Sequence, residues 1–150
     1  MITLDETDRQ NLILHLLNRT DVIDGYSKFY NLIYLLKREE PGILDDYKFN
    51  SHYLTIKDKT LENDLDALIL QRLVDNDPVK INSAHKHKIK INRNGKLHLK
   101  FFNVDKKLQN KLGNETLKKI DELLKKYNSM PIDKVMTISK ERQQSPVSSF

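Results

Sequence analysis

The chain has 150 residues, 38% of them hydrophobic and 31% charged, a balance that suits one soluble domain with a real core and leaves no room for two. It contains no cysteine and no tryptophan, which excludes disulfides, thiolate chemistry and cysteine-based zinc sites, and no apolar run approaches the length of a membrane span. The net charge of +5 conceals a polarity: residues 1–78 hold 9 Lys+Arg against 15 Asp+Glu, and residues 79–150 hold 17 against 6. Such a distribution suits alignment of the basic half on an acidic polymer, or head-to-tail pairing with a second copy.

Taken in chain order, Met1-Ile2-Thr3-Leu4-Asp5-Glu6 lacks the pattern of a secretory leader, and the expected location is cytoplasmic. Thr7 and Gln10 have capping-box spacing ahead of Leu12, Ile13, Leu16 and Leu17, which predicts a first helix ending near Asn18. After the turn residues Asp24-Gly25, Ser27 is the expected cap of a second helix with Phe29, Leu32, Ile33 and Leu36 on one stripe and Tyr30 and Tyr34 beside it. Pro41-Gly42 marks a loop, and the aromatic-rich residues 47–54 suggest a short extended piece. Thr60 is the expected cap of a third helix carrying Leu61, Leu65, Leu68, Ile69 and Leu73, which Asp77-Pro78 should stop. A short strand over 79–82 follows.

Residues 88–100 alternate as a strand does and predict a β-hairpin. With Arg93-Asn94-Gly95 as a three-residue loop, Ile91 lies opposite Leu97, Ile89 opposite Leu99, Lys90 opposite His98 and Lys88 opposite Lys100. The shorter Asn94-Gly95 loop would mix the two faces. The outer face then presents Lys88, Lys90, Asn92, Lys96, His98 and Lys100. Like charges across a strand pair destabilise it, so an arrangement of this kind suits contact with an anion such as a phosphate backbone; the same lysines would also serve as a solvated edge that blocks aggregation.

Helix is expected again from Asp105, interrupted at Gly113, with Asn114 capping a stretch that bears Leu117, Ile120, Leu123, Leu124 and Tyr127. Its Lys118, Lys119, Lys125 and Lys126 alternate with Glu115, Asp121 and Glu122, as on a self-paired solvated face. Pro131 should open a last helix with Val135, Met136 and Ile138 inward. The remaining residues 141–150 lack a packable pattern and read as a flexible tail.

Helix, helix, short strand, helix, strand, hairpin is the order of a winged-helix domain, whose recognition helix precedes the wing. At this level the chain resembles the YwgA-type winged-helix family of prokaryotes, related in layout to the SocA-like antitoxin domain. Phe29-Tyr30-Asn31-Leu32-Ile33-Tyr34-Leu35-Leu36 is similar to the family's Leu-x-Lys-Leu-[Val/Ile]-[Phe/Tyr]-Leu-Leu helix, and Tyr47-Lys48-Phe49 with Tyr53 stands where the family has Tyr-x-Phe and a later tyrosine. Leu61-Glu62-Asn63-Asp64-Leu65-Asp66-Ala67-Leu68 resembles its Leu-x-x-Asp-Leu-x-x-Leu, Arg72-Leu73-Val74 its Gly-Leu-[Ile/Val], and residues 120–136, with Tyr127 and Met130-Pro131-Ile132, its closing helices. The family's Tyr-Gly-Pro-[Phe/Tyr]-Ser is replaced by Tyr53-Leu54-Thr55-Ile56-Lys57, so the turn made by that Gly-Pro does not carry over. The resemblance implies a winged-helix fold, a regulatory or antitoxin-like role and no catalytic residues.

The expected fold is therefore α+β, mainly α: a winged helix-turn-helix with a C-terminal helical extension, one domain over residues 1–140. The expected function is duplex DNA binding through the wing, as a transcriptional regulator or chromatin-associated factor, with Arg93 and Asn94 at the wing tip. On the third helix, Glu62 and Asp66 would be repelled by phosphates, which leaves Asn63 and Gln71 as base readers. The alternative is a protein-interaction or antitoxin-like adaptor that uses the acidic third helix; a homodimer is expected on the DNA-binding reading, because DNA-binding wings commonly act in symmetric pairs. His85, His87 and His98 lack a third ligand of carboxylate or thiol type, so no metal and no cofactor is expected. His15 should lie at a helix edge. Paired carboxylates such as Glu39-Glu40 diverge, and no phosphate loop or nucleophile motif is present, so an enzyme is not expected.

Overall fold

Asp5 opens the first helix by a reciprocal cap, its carboxylate accepting the Asp8 backbone N–H at 2.8 Å while the Asp8 carboxylate accepts the Asp5 N–H at 3.2 Å. The cap thus lies two residues ahead of the expected Thr7 pair, and α1 spans Glu6–Thr20. Residues 12–17 of α1 are buried without a break, which makes it the central helix around which the rest packs. The computed structural model describes residues 4–49, 56–81 and 84–144. Among these the fold is mainly α, with seven helices and one small antiparallel sheet.

Strand β1 (Ile23–Asp24) leads through Gly25, at φ 100°, into α2 (Tyr26–Glu39). Gly25 itself is the N-cap position, so Ser27 lies in the first turn and does not cap. The loop after α2 buries Ile43, Leu44 and Tyr47 and forms no strand up to Phe49; the rest of the expected extended piece lies outside the described residues. Asp58, rather than Thr60, caps α3 (Lys59–Leu70). One carboxylate oxygen accepts the Leu61 N–H at 2.9 Å and the other the Lys48 N–H at 2.8 Å, which ties the loop to the helix start.

Arg72, at φ 60°, turns the chain out of α3. Asp77-Pro78 does not stop the helix: both residues lie inside β2 (Val74–Ile81). Proline is tolerated there because β2 is an edge strand, the sheet order being β1-β3-β2 with β3 at Ala84–Ile91. Ile23, Val74, Ile89 and Ile91 form the covered side of the sheet.

A hairpin is thus present, but it is made by β2 and β3, and the one expected over 88–100 is not. Residues 88–91 end β3, and the expected loop Arg93-Asn94-Gly95 is the first turn of α4 (Arg93–Phe101). Two sets of interactions, a cap and a tertiary fit, decide this. The Asn92 side chain accepts the Gly95 N–H at 2.9 Å, an N-cap, and donates to the Arg72 carbonyl at 2.8 Å and to Asp75 at 3.0 Å. Gly95 is packed so closely that a Cβ there would stand 2.3 Å from the Leu73 carbonyl oxygen and 2.5 Å from Ile91 Cγ1. Gly95 serves close approach, not a left-handed turn. Helix propensity alone would favour alanine by about 1 kcal/mol, yet overpacking against a backbone atom costs about 1–3 kcal/mol. Gly95→Ala is therefore expected to lower the denaturation midpoint; a raised midpoint would show that α4 is not seated this tightly.

Three further helices end the described residues: α5 (Val104–Leu112), α6 (Asn114–Asn128) and α7 (Ile132–Gln144). Gly113, at φ 88°, makes the corner between α5 and α6 and takes the cap position expected for Asn114. Helix α7 buries Val135 fully and Met136 and Ile138 in part, and it runs four residues past the expected domain end; the remainder of the expected tail lies outside the described residues. Both α6 and α7 pack on α2. Buried Lys28 of α2 donates to the Asn128 carbonyl at 2.8 Å, a cation at the C-terminal end of α6. Tyr127 donates to Glu39 at 2.9 Å, and Arg142 meets the same carboxylate oxygen at 3.0 Å. Among the described residues no helix is long and apolar enough to cross a membrane.

Candidate nucleic-acid interface

Lysines expected on one hairpin face are divided between the sheet and α4. On the sheet, Lys88 stands across from Asp77 of β2 and Asp24 of β1, and Lys90 lies opposite Asp75 with its Nζ 3.4 Å from Asp77. Opposite charges across strands stabilise the sheet. The expected opposition of Lys88 and Lys100 does not occur, and Lys88 and Lys90 face aspartates across the strands. Asn92 is consumed as the cap of α4. Asn63 is exposed on α3 and Gln71 at its end, where the outward residues also include Glu62, Asp66 and Leu70, the last 82% exposed.

The other expected residues come together on α4. With Gly95 and Leu99 buried beneath it, α4 turns outward a stripe at i, i+4 spacing made of Arg93, Leu97 and Phe101, flanked by Lys96 and Lys100 on one side and Asn94 and His98 on the other. Leu97 is 52% exposed and Phe101 83%. Phe102, 47% exposed, packs edge-on against Phe101 at 5.1 Å between ring centroids and lies 4.6 Å from the His98 ring. Burial, with the charge of Lys107 added, lowers the His98 pKa below the usual histidine range, so this imidazole is neutral at pH 7. Among the described residues, Arg93, Lys96, Lys100 and Lys107 have no carboxylate within 4.0 Å. Among the described residues this surface is thus cationic with no paired carboxylate, and rings stand out of it.

Several other charged groups are engaged, although Lys118 and Lys125 of α6, like the α4 cations, have no carboxylate among the described residues within 4.0 Å. Lys119 pairs with Glu40 at 3.0 Å, and Lys111 with Asp8. His87 faces the Asn76 carbonyl at 3.1 Å and the Tyr26 ring at 5.2 Å. An open cleft of about 410 Å³ is lined by Arg19, Gln109, Asn114, Leu117, Lys118 and Asp121, and its Asp121 is already held by Arg19 and His15. His15 is not at a helix edge: it is buried, with Nδ1 2.7 Å from Asp105 and Nε2 2.9 Å from Asp121.

Leu97, Phe101, Phe102 and Lys107 were absent from the residues expected at the site. The available signal is the pair Phe101-Phe102 directly after Lys100, followed by Lys106-Lys107. No family model, no curated protein and no solved structure matches the chain, so the functional reading rests on this surface.

Proposed function

We propose that the protein binds nucleic acid, as a DNA-binding regulator or chromatin-associated factor built on a winged helix, and that it grips phosphates with α4 and the start of α5 rather than with a wing. The winged-helix reading is supported by the order α1-β1-α2-α3-β2-β3 and by the strand order β1-β3-β2; kinship with the YwgA-type family is part of the same proposal. The observation that carries the binding reading is the set of uncompensated cations Arg93, Lys96, Lys100 and Lys107. From Arg93 to Lys100 the helix rises about 10 Å, close to three steps of a stacked strand.

Four phosphate contacts imply a slope of log affinity against log salt of roughly −3 to −4. Reversing Lys96 and Lys100 together to glutamate is expected to abolish binding of a DNA duplex in a gel-shift titration at two salt concentrations. Lys90→Glu is expected to have little effect, because Lys90 already answers Asp77. Equal binding by wild type and the Lys96/Lys100 reversal would sink the proposal. A second reading, a protein-interaction or antitoxin-like module, is supported by exposed Leu70 beside Glu62 and Asp66 on α3; Leu70→Asp would abolish partner binding there and leave DNA binding intact.

A further inference from the structure

Phe101 is the most exposed aromatic side chain among the large exposed hydrophobic residues, and its position in the cationic stripe is what needs a physical account. Its neighbours restrain it: Phe102 meets it edge-on at 5.1 Å, and His98 backs Phe102 at 4.6 Å. A ring held outward in this way, one turn of helix from Leu97 and beside Lys100, presents a flat apolar face next to a positive charge. Resting on the reading that α4 binds nucleic acid, we propose that Phe101 is a base-stacking platform and that the site's preferred ligand is single-stranded or locally unpaired nucleic acid.

Three considerations favour that occupant. Every base has a π face and a phosphate one bond system away, so a ring flanked by Arg93, Lys96 and Lys100 matches a strand in both apolar and charged character. In an intact duplex the base faces are covered by their neighbours, and Phe101 could reach one only by wedging a step apart, at a cost in unstacking. Leu97, Phe101 and Phe102 together expose a few hundred Å² at most, well short of the roughly 800 Å² that each partner in a stable protein complex buries. DNA and RNA strands share the recognised chemistry, so both belong in the test.

The absence of tryptophan makes the test direct, because Phe101→Trp introduces the chain's single indole. Labelled dT and U oligonucleotides and a duplex of the same length are titrated by anisotropy, and indole fluorescence is followed in parallel, with anionic vesicles as a further ligand. Tighter binding of the single strands than of the duplex, indole quenching on binding, and at least about a fivefold loss of single-strand affinity in Phe101→Ala are expected. A preference for U over dT, or the reverse, would support the proposal and name the source of the strand. Binding of duplex and single strands with equal affinity, unquenched indole and an unaltered Phe101→Ala would overturn the stacking proposal while phosphate binding by α4 stood. No binding to any nucleic acid would overturn both, and quenching by vesicles alone would identify the surface as a membrane contact. Phe101 is exposed, so neither variant disturbs the core; circular dichroism of each checks this.

Discussion

Replacing Asp64 by alanine is expected to cost about 3–5 kcal/mol of stability, because it breaks a buried charged cluster and leaves its partners in place. Asp64 lies on α3, 2% exposed, and the same oxygen accepts the Arg9 Nε–H of α1 at 2.9 Å and the Tyr47 hydroxyl at 2.7 Å. Tyr47 is fully buried, and burial together with the Asp64 charge holds its phenol well above the usual tyrosine pKa, so it is a hydrogen-bond donor at any ordinary pH. Without Asp64 that hydroxyl has no acceptor. Arg9 keeps a second partner, Asp46 at 2.9 Å, but the Asp46 side chain is 54% exposed and its share of the interaction is screened by water. Asp46→Ala is therefore expected to cost less than about 1 kcal/mol. Chemical denaturation of both variants checks the contrast. Equal losses would mean that the cluster is held by its exposed arm, contrary to the burial pattern.

Long periodic stretches were legible in the sequence because each carries several turns of consistent burial. Leu12, Ile13, Leu16 and Leu17 of α1, Phe29, Leu32, Ile33 and Leu36 of α2, and Leu117, Ile120, Leu124 and Tyr127 of α6 all lie in the core as their spacing implies. Residues 93–101 were misread for a physical reason. Alternation over Lys96-Leu97-His98-Leu99-Lys100 fits strand and helix equally over so short a run, and only Leu99 is buried. What selects the helix is a tertiary fit, Gly95 beneath the Leu73 carbonyl, with the Asn92 cap beside it. The carboxylate caps were misplaced by two residues in both α1 and α3, within the ordinary latitude of helix boundaries.

The same short-range ambiguity governs the site. The sequence already singles out Lys96 and Lys100, but as one face of a sheet with Lys88 and Lys90, and Arg93 as the tip of its loop. Cross-strand partners divided the group: Asp75 and Asp77 come from a strand that the sequence pattern assigned to a helix end. Neutralisation of Lys90 is thus a consequence of register, which no local pattern reveals. Exposure of Phe101 likewise reflects that no other element of the described residues lies over α4, a property that no local pattern reveals.

His15 provides the second large effect, and it bears on how α5 and α6 are held against α1. Both ring nitrogens face carboxylate oxygens, Nδ1 toward Asp105 of α5 and Nε2 toward Asp121 of α6, while Arg19 reaches the other Asp121 oxygen at 3.4 Å. Both contacts are attractive only if both nitrogens carry protons, so the geometry calls for imidazolium. Burial alone would lower the pKa; the hydrogen bonds that the ring donates to Asp121 and Asp105 outweigh it and raise the pKa above the ordinary 6.5. A group whose folded pKa is raised contributes its full stabilisation below the unfolded value and loses it as pH climbs through the folded one. His15→Gln is accordingly expected to cost about 2–3 kcal/mol at pH 6, below the usual figure for a broken buried pair because half-exposed Asp105 regains water, and distinctly less at pH 9. The quantity to measure is the difference in unfolding free energy between wild type and His15→Gln across that range, since other titrations cancel in it. A difference that stays constant or grows with pH would show that the ring is neutral, and α5 and α6 would then be held against α1 by apolar packing, with Val104, Leu108, Leu117 and Ile120 in the core.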